Sequence, residues 1–285
     1  MYHFSQTDWV RAPRAAPAGT ALYAIGDVHG HAEALRALHA VLRAGARHEA
    51  SLRHCAVHLG DYIDRGPDSR GVLQALRDGI GGGIEQVLLA GNHDQFLIEL
   101  LRLHPEFDRR VVQTWYDYGG EETMQNLGID GYGRLVAAGD MDTLSARVRE
   151  ALGAELVGLL DALPLVHREG DYLFVHAGVH PGMALDTQDP VDLMMIREPF
   201  LSAPEGWDHP FCVIHGHTIA KPAVLDHRIG VDAGCYKHGA LCAVQIVADR
   251  ARFIAVAPDP GYPWQAALAE PGSGLAWGDG APVPD

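Results

Sequence analysis

Cysteine is scarce. Cys55, Cys212, Cys235 and Cys242 are the four in 285 residues, and no two stand as C-x-x-C. Neither a disulfide framework nor a zinc ribbon is expected, and a reducing, cytoplasmic compartment is. Positive charge is scarce too. Lys and Arg number 22 against 37 Asp and Glu, a formal net charge of −15. Such a surface repels nucleic-acid backbone and anionic lipid, so neither nucleic acid nor membrane is an expected partner. A local cluster of Arg or a bound metal would still attract a phosphate. No apolar run reaches 18 residues, so no membrane-spanning helix is expected. The opening MYHFSQTDWVRAPRAAPAGT has no apolar stretch flanked by positive charge; it reads as a polar leader rather than a secretory signal.

What is present is a hydrophobic fraction of 47%, enough for a sizeable core, in a length that allows one large domain or two small ones. The 17 histidines outnumber Met and Phe, at 6 and 7, together, so position has to decide which of them matter.

Three segments share one pattern. Strands are expected at Leu22–Ile25, Cys55–Leu59 and Val87–Leu89. A polar loop follows each, and then a helix: from His31, over Gly71–Arg77, and over Gln95–Leu103. Repeated strand–loop–helix units argue for a parallel α/β arrangement, with the ligand site at the carboxyl ends of the strands. Residues 104–163 read as a helical insert or cap, broken at Gly119-Gly120 and Gly131-Gly133. Strands return at Tyr172–Val175, Phe211–Ile214, Arg228–Val231, Leu241–Val247 and Arg252–Val256 without long helices between them. This half of the sheet is expected to be mixed or antiparallel. Residues 1–257 read as the catalytic domain, and the Pro- and Gly-rich 258–285 as a loosely held tail.

Five polar clusters each follow an apolar strand: GDVHG at 26–30, GDYIDRG at 60–66, GNHD at 91–94, HAG at 176–178 and GHT at 216–218. Taken singly, each has a plain explanation; GNHD, for instance, is a good helix start with Asn92 or Asp94 as cap. Taken together, carboxylate, amide and imidazole groups converging at one sheet edge would be costly to leave without a ligand. Mixed oxygen and nitrogen donors suit Mn, Fe and Zn.

This ordered set resembles the phosphoprotein phosphatase branch of the calcineurin-like metallophosphoesterases, and within it the bacterial and phage-type serine/threonine protein phosphatases. The resemblance runs over residues 26–218, and GDYIDRG is its most specific block. It implies a central β-sandwich of mixed sheets flanked by helices, with two divalent metals, Mn²⁺ or else Fe or Zn²⁺, at the strand ends. By the same resemblance Asp27 and His29 are ligands of the first metal and Asp61 bridges both. Asn92, His176 and His217 complete the second. His215 competes with His217, because both face one side of a strand; His217 is assigned on the GHT match. His93 is implied as general acid, Asp64 as the carboxylate that orients it, and Arg65 as a phosphate clamp. Arg197, in MIREPF at 195–200, is similar to a second clamp, although Met195 stands where the family has an aromatic residue. Plainer readings stay open beside these: Asp64 as a turn cap, Arg197 in a surface ion pair, Trp115, Tyr116 and Tyr118 as core packing. His238 is a further pocket candidate, and Cys55 and Cys212 read as inert core thiols.

The implied reaction is hydrolysis of a phosphomonoester, on a phosphorylated protein or a small phosphoester. A water acidified by two cations attacks phosphorus in line, and His93 protonates the departing alkoxide. GNHD points elsewhere: it resembles the symmetrical diadenosine tetraphosphate hydrolases, which lack the aspartate of the Asp64–Arg65 pair. A dinucleoside polyphosphate or nucleotide hydrolase is therefore the alternative enzyme. A catalytically silent metal- or phosphate-binding module is the alternative of another class.

Overall fold

The structure is a computed structural model that describes residues 1–103, 109–203, 207–259 and 281–282. The chain runs β1 (His3–Gln6), β2 (Val10–Arg11), β3 (Thr20–Ile25), α1 (Ala32–His48), β4 (Arg53–His58), α2 (Ser69–Asp78), β5 (Ile84–Leu88) and α3 (Asn92–Arg102). The insert follows as α4 (Arg109–Trp115), a π-helical turn (Tyr116–Gly120), α5 (Glu121–Asn126), α6 (Tyr132–Ala138) and α7 (Met141–Asp161). The second half holds β6 (Val166–Glu169), β7 (Tyr172–Val175), α8 (Pro190–Met195), β8 (Cys212–His215), β9 (Ala223–Val224) and β10 (Arg228–Gly230). It ends with α9 (Cys235–His238), β11 (Leu241–Val247), β12 (Arg250–Ala257) and β13 (Ala281–Pro282).

Two sheets form. One has the order β13-β1-β12-β11-β3-β4-β5, with β2 on β12; the other has the order β6-β7-β8-β10-β9. The strand–loop–helix reading holds for β3, β4 and β5, which are parallel. Beyond them the sheet turns antiparallel, as expected for the second half of the chain: β11 joins β3 antiparallel and β12 joins β11 likewise. Alternation along each strand explains the layering. Tyr23 and Ile25 of β3, Ala56 of β4 and Leu241 and Ala243 of β11 face the helices. Leu22, Ala24, Cys55, Val57, Cys242 and Val244 alternate with them and face the second sheet, meeting Tyr172 and Phe174 of β7. Leu173 and Val175 turn outward under Leu193, Ile196 and Phe200. Strands buried on both faces read as unbroken apolar runs, which is why they stood out in the sequence.

The insert shares the helix-side core. Val112, Trp115, Met124, Leu144, Val148, Leu152 and Leu156 join the same cluster as Leu35, Leu38 and Leu97. The polar leader is a misreading in part. His3–Gln6 pairs antiparallel with β12, and Phe253 N–H donates to Thr7 Oγ1 at 2.9 Å. HFSQ has no apolar alternation to announce this, since a partner strand rather than a core face fixes it. The expected tail falls outside the described residues, apart from its first two residues and Ala281–Pro282, which pairs with β1. All four cysteines are buried and free. Among the described residues no helix is long and apolar enough to cross a membrane.

One buried polar contact sets a pH dependence. His39 of α1 and His58 of β4 meet Nε2 to Nε2 at 2.9 Å, so one neutral ring donates and the other accepts. Burial lowers both, His39 to about 3. An unfolded histidine titrates near 6.5, so below that pH the unfolded chain binds protons that the native pair refuses. The stabilisation is complete above about pH 6.5 and is lost as pH falls, the His39 share running out towards pH 3. In urea titrations from pH 7 to pH 5, a His39→Leu/His58→Leu double variant should lose stability with acid less steeply than the parent. Equal slopes would rule out a neutral pair.

Candidate metal centre

All five polar clusters emerge at carboxyl ends of strands: after β3, β4 and β5 in one sheet, and after β7 and β8 in the other. The backbone there is unusual. His29, Asp61, Asp64, Arg65 and His217 all have positive φ, between 44° and 72°. Non-glycine residues take that conformation at a cost, and its concentration in one place marks a functional site. Glycine is needed where loops touch: a Cβ on Gly91 would lie 2.2 Å from Asp61 Oδ1.

Asp61 is the centre. Its Oδ2 lies 3.5 Å from His29 Nε2 and its Oδ1 3.4 Å from His176 Nε2. Oδ1 also accepts the His93 N–H at 2.9 Å. His29 Nδ1 faces the Ile63 carbonyl at 2.9 Å and His176 Nδ1 the Leu59 carbonyl at 2.8 Å. A carbonyl only accepts, so Nδ1 carries the proton in each ring and Nε2 is a bare lone pair. Asn92 Oδ1 stands 3.0 Å from both His176 Nε2 and His217 Nδ1. Around His176 Nε2, three acceptor atoms therefore face one another with no hydrogen between them, and a cation is what resolves such a contact. Burial keeps the imidazoles neutral, lowering His29 and His217 to about 3 and His176 in the same direction. His217 Nε2 is buried with no hydrogen-bond partner. The donors form two groups around Asp61, one with His29 and His93 and one with His176 and His217, each with its atoms within 4.8 Å. These residues fit divalent metal.

Asp27 accepts the His217 N–H at 3.2 Å through both oxygens and shares a hydrogen bond with Asp232. Burial, Asp232 and Asp61 push its carboxyl well above the ordinary value. His215 turns away from the centre. Its Nδ1 meets the Gly216 carbonyl and its Nε2 accepts from Arg228, against the ring of Phe200. Of the two competing histidines, His217 is the one that faces Asn92.

His93 Nδ1 and Asp64 Oδ2 are 2.7 Å apart, both buried. Burial works against a proton on His93, but Asp61 and Asp64 outweigh it and the ring sits above its ordinary value. Arg65 reaches His29 Nε2 at 2.9 Å and His93 Nε2 at 2.8 Å, with its guanidinium 4.5 Å above the Tyr236 ring. A guanidinium only donates, so both nitrogens accept from Arg65 here. Above it opens a cavity of about 560 Å³, lined by Arg65, His93, Phe96, Tyr118, Arg197 and Lys237 among others. Arg197 thus belongs to the pocket and not to a remote ion pair. His238 is not on its lining, whereas its neighbours Tyr236 and Lys237 are.

One role and one residue escaped the sequence. Asp94 accepts the backbone N–H of Asp61, Tyr62 and Gly91 at 2.7–2.9 Å, which ties the Asp61 loop to the Asn92–His93 turn. Asp232 follows β10 within GVDAG, the same strand-then-acid signal as the first three clusters. A third donor group, Cys55, His167 and Glu169, lies apart from the pocket. There Glu169 is held by Arg53 at 2.9 Å, and burial pushes the Cys55 thiol up to about 11.

A model described as calcineurin-like phosphoesterase matches residues 21–246. The chain belongs to that family. A symmetrical bis(5'-nucleosyl)-tetraphosphatase of Methylococcus capsulatus is 32% identical over 167 residues, which cover 59% of this family member and 46% of that protein. The chain thus spans about half the length of the curated relatives it matches. A crystal structure of a candidate diadenosine tetraphosphatase superposes with a TM-score of 0.51 at 20% identity, covering 83% of this chain and 94% of that one. A mutant cold-active protein tyrosine phosphatase gives 0.52 at 17% identity, covering 84% and 80%. These two likenesses show the fold alone. The expected superfamily and its two-sheet fold stand. The curated relative is named a tetraphosphatase, however, and not a serine/threonine protein phosphatase.

Proposed function

We propose that this chain is a two-metal phosphoesterase whose substrate is a dinucleoside polyphosphate. The observation that carries the metal-dependent part is Asp61, one carboxylate whose two oxygens face the lone pairs of two different histidines. In this reading Asp27, His29 and Asp61 hold one divalent cation, and Asp61, Asn92, His176 and His217 hold the other. When bound, the cations supply Lewis-acid charge and acidify a water for in-line attack. The donor set, without thiolate, suits Mn²⁺, Fe or Zn²⁺.

The substrate class is supported by the named relative and by the pocket lining. Arg65, Arg197 and Lys237 bring three cationic heads to one cavity, a match for a chain of phosphates, each with its own negative charge. Phe96 and Tyr118 offer flat faces on which bases stack. A second reading, a serine/threonine phosphoprotein phosphatase, is favoured by the His93–Asp64 pair. A nucleotide leaves through a phosphate oxygen whose conjugate acid has a pKa of about 6, and so has little need of a proton. An alkoxide leaving group needs one.

The test is a direct comparison on the metal-loaded protein of bis(5'-adenosyl) tetraphosphate with phosphoserine and phosphothreonine peptides. The expected outcome is a higher kcat/KM for the tetraphosphate, with activity lost on chelation and regained with Mn²⁺. A higher kcat/KM for the peptides would replace the first substrate reading with the second. Turnover that survives complete metal removal would overturn the metal-dependent part.

A further inference from the structure

The insert reaches back to the Asp64–Arg65 turn from more than forty residues downstream. Trp115 Nε1–H donates to Asp64 Oδ2 at 2.7 Å, the oxygen that also faces His93 Nδ1. Thr123 Oγ1–H donates to Asp64 Oδ1 at 2.6 Å and accepts the Asp64 N–H at 2.9 Å. Between them, the Gly119 carbonyl accepts the Arg65 N–H at 3.2 Å. This stretch is a kink between two helices, where Gly119 leaves helical geometry. At Gly119 φ is 111°, and a Cβ would lie 2.7 Å from Arg65 Cγ. The Asp64 side chain is wholly buried. With water excluded, only these donors and His93 decide which way its carboxylate points.

We infer that Trp115 and Thr123 are positioning residues for the reaction: from the insert they fix the Asp64 carboxylate and, through it, the ring of His93. This rests on the reading of His93 as proton donor, a role that an alkoxide leaving group calls on and the departing nucleotide of the first substrate reading hardly does. In that step the bond from phosphorus to the leaving oxygen breaks with its electron pair going to that oxygen, which takes the Nε2 proton of His93. Water supplies the hydroxyl that bonds phosphorus. Its other proton goes to solvent, which returns one to His93. A ring that tilts when Asp64 turns would deliver its proton badly, and only a poor leaving group would register the loss.

The leaving group is therefore the probe. Trp115→Phe keeps an aromatic ring and deletes the N–H; Thr123→Val keeps the shape and deletes the hydroxyl. On a phosphoserine peptide each should lower kcat roughly tenfold, about the effect of one hydrogen bond to a charged group, with KM unchanged. On 4-nitrophenyl phosphate the loss should stay under roughly twofold, because a phenolate that leaves easily needs little protonation. Thr123→Ser should restore the parent value. Val112→Ala, in the same buried core, controls for loosened packing and should affect both substrates alike. Equal losses on the two substrates for Trp115→Phe and Thr123→Val would make these residues packing alone and overturn the inference. His93→Asn separates the two levels. If its loss depends on the leaving group while theirs does not, the inference fails and the reading of His93 stands. If its own loss is the same on both substrates, that reading fails and the inference with it.

Discussion

A His93→Asn variant should hydrolyse phosphoserine peptides roughly 10²–10⁴-fold more slowly than the parent, the usual contribution of a general acid. The expectation comes from geometry. His93 sits in the first turn of α3, directly after Asn92, and its backbone N–H is held by Asp61. The ring hangs between Asp64 at Nδ1 and, at Nε2, the pocket wall where the Arg65 guanidinium lies 2.8 Å away, and Asp61 and Asp64 favour the protonated form. Asparagine keeps a polar group of similar size but has no proton to give. On bis(5'-adenosyl) tetraphosphate the same variant should lose much less, within roughly tenfold, because the departing nucleotide is a stable anion. Steady-state kinetics on both substrates measure the contrast. Full turnover of the peptide by the variant would remove His93 from the chemistry.

Asp61→Asn should lower activity on either substrate by about 10³-fold or more, with both cations missing rather than one. Each Asp61 oxygen serves a different histidine, so neutralising it weakens two sites at once. His217→Ala touches one group of donors and should cost one cation. Elemental analysis after gel filtration distinguishes the two stoichiometries independently of turnover. Two bound cations per chain in Asp61→Asn would disprove the shared carboxylate.

This candidate centre was legible in the sequence because its donor residues are local. Each of the five clusters lies within a few residues of a strand end, and doubly buried strands are easy to see as apolar runs. What lay hidden was carried by contacts distant along the chain. Trp115 and Thr123 belong to helices whose periodicity speaks only of a core, and Trp115 is indeed buried in one. Nothing near them in sequence names Asp64. Tyr236 carries no signal of its own in the sequence, since an aromatic ring gives no hint that it will lie beneath a guanidinium. Asp94 read as a possible helix cap, and it does accept the Gly91 N–H; its grip on the Asp61 loop appears only when two strand ends are adjacent. β1 was lost for the same reason, a polar segment made a strand by its neighbour.

The insert buries its apolar residues in the same cluster as α1 and α3, and so it is no detachable module. A chimera that imports the corresponding helices from a relative to retune selectivity would disturb folding and proton delivery together. Engineering of this scaffold therefore has to start from the rim of the cavity, at exposed side chains such as Tyr118 and Met195, and leave the helical bundle intact.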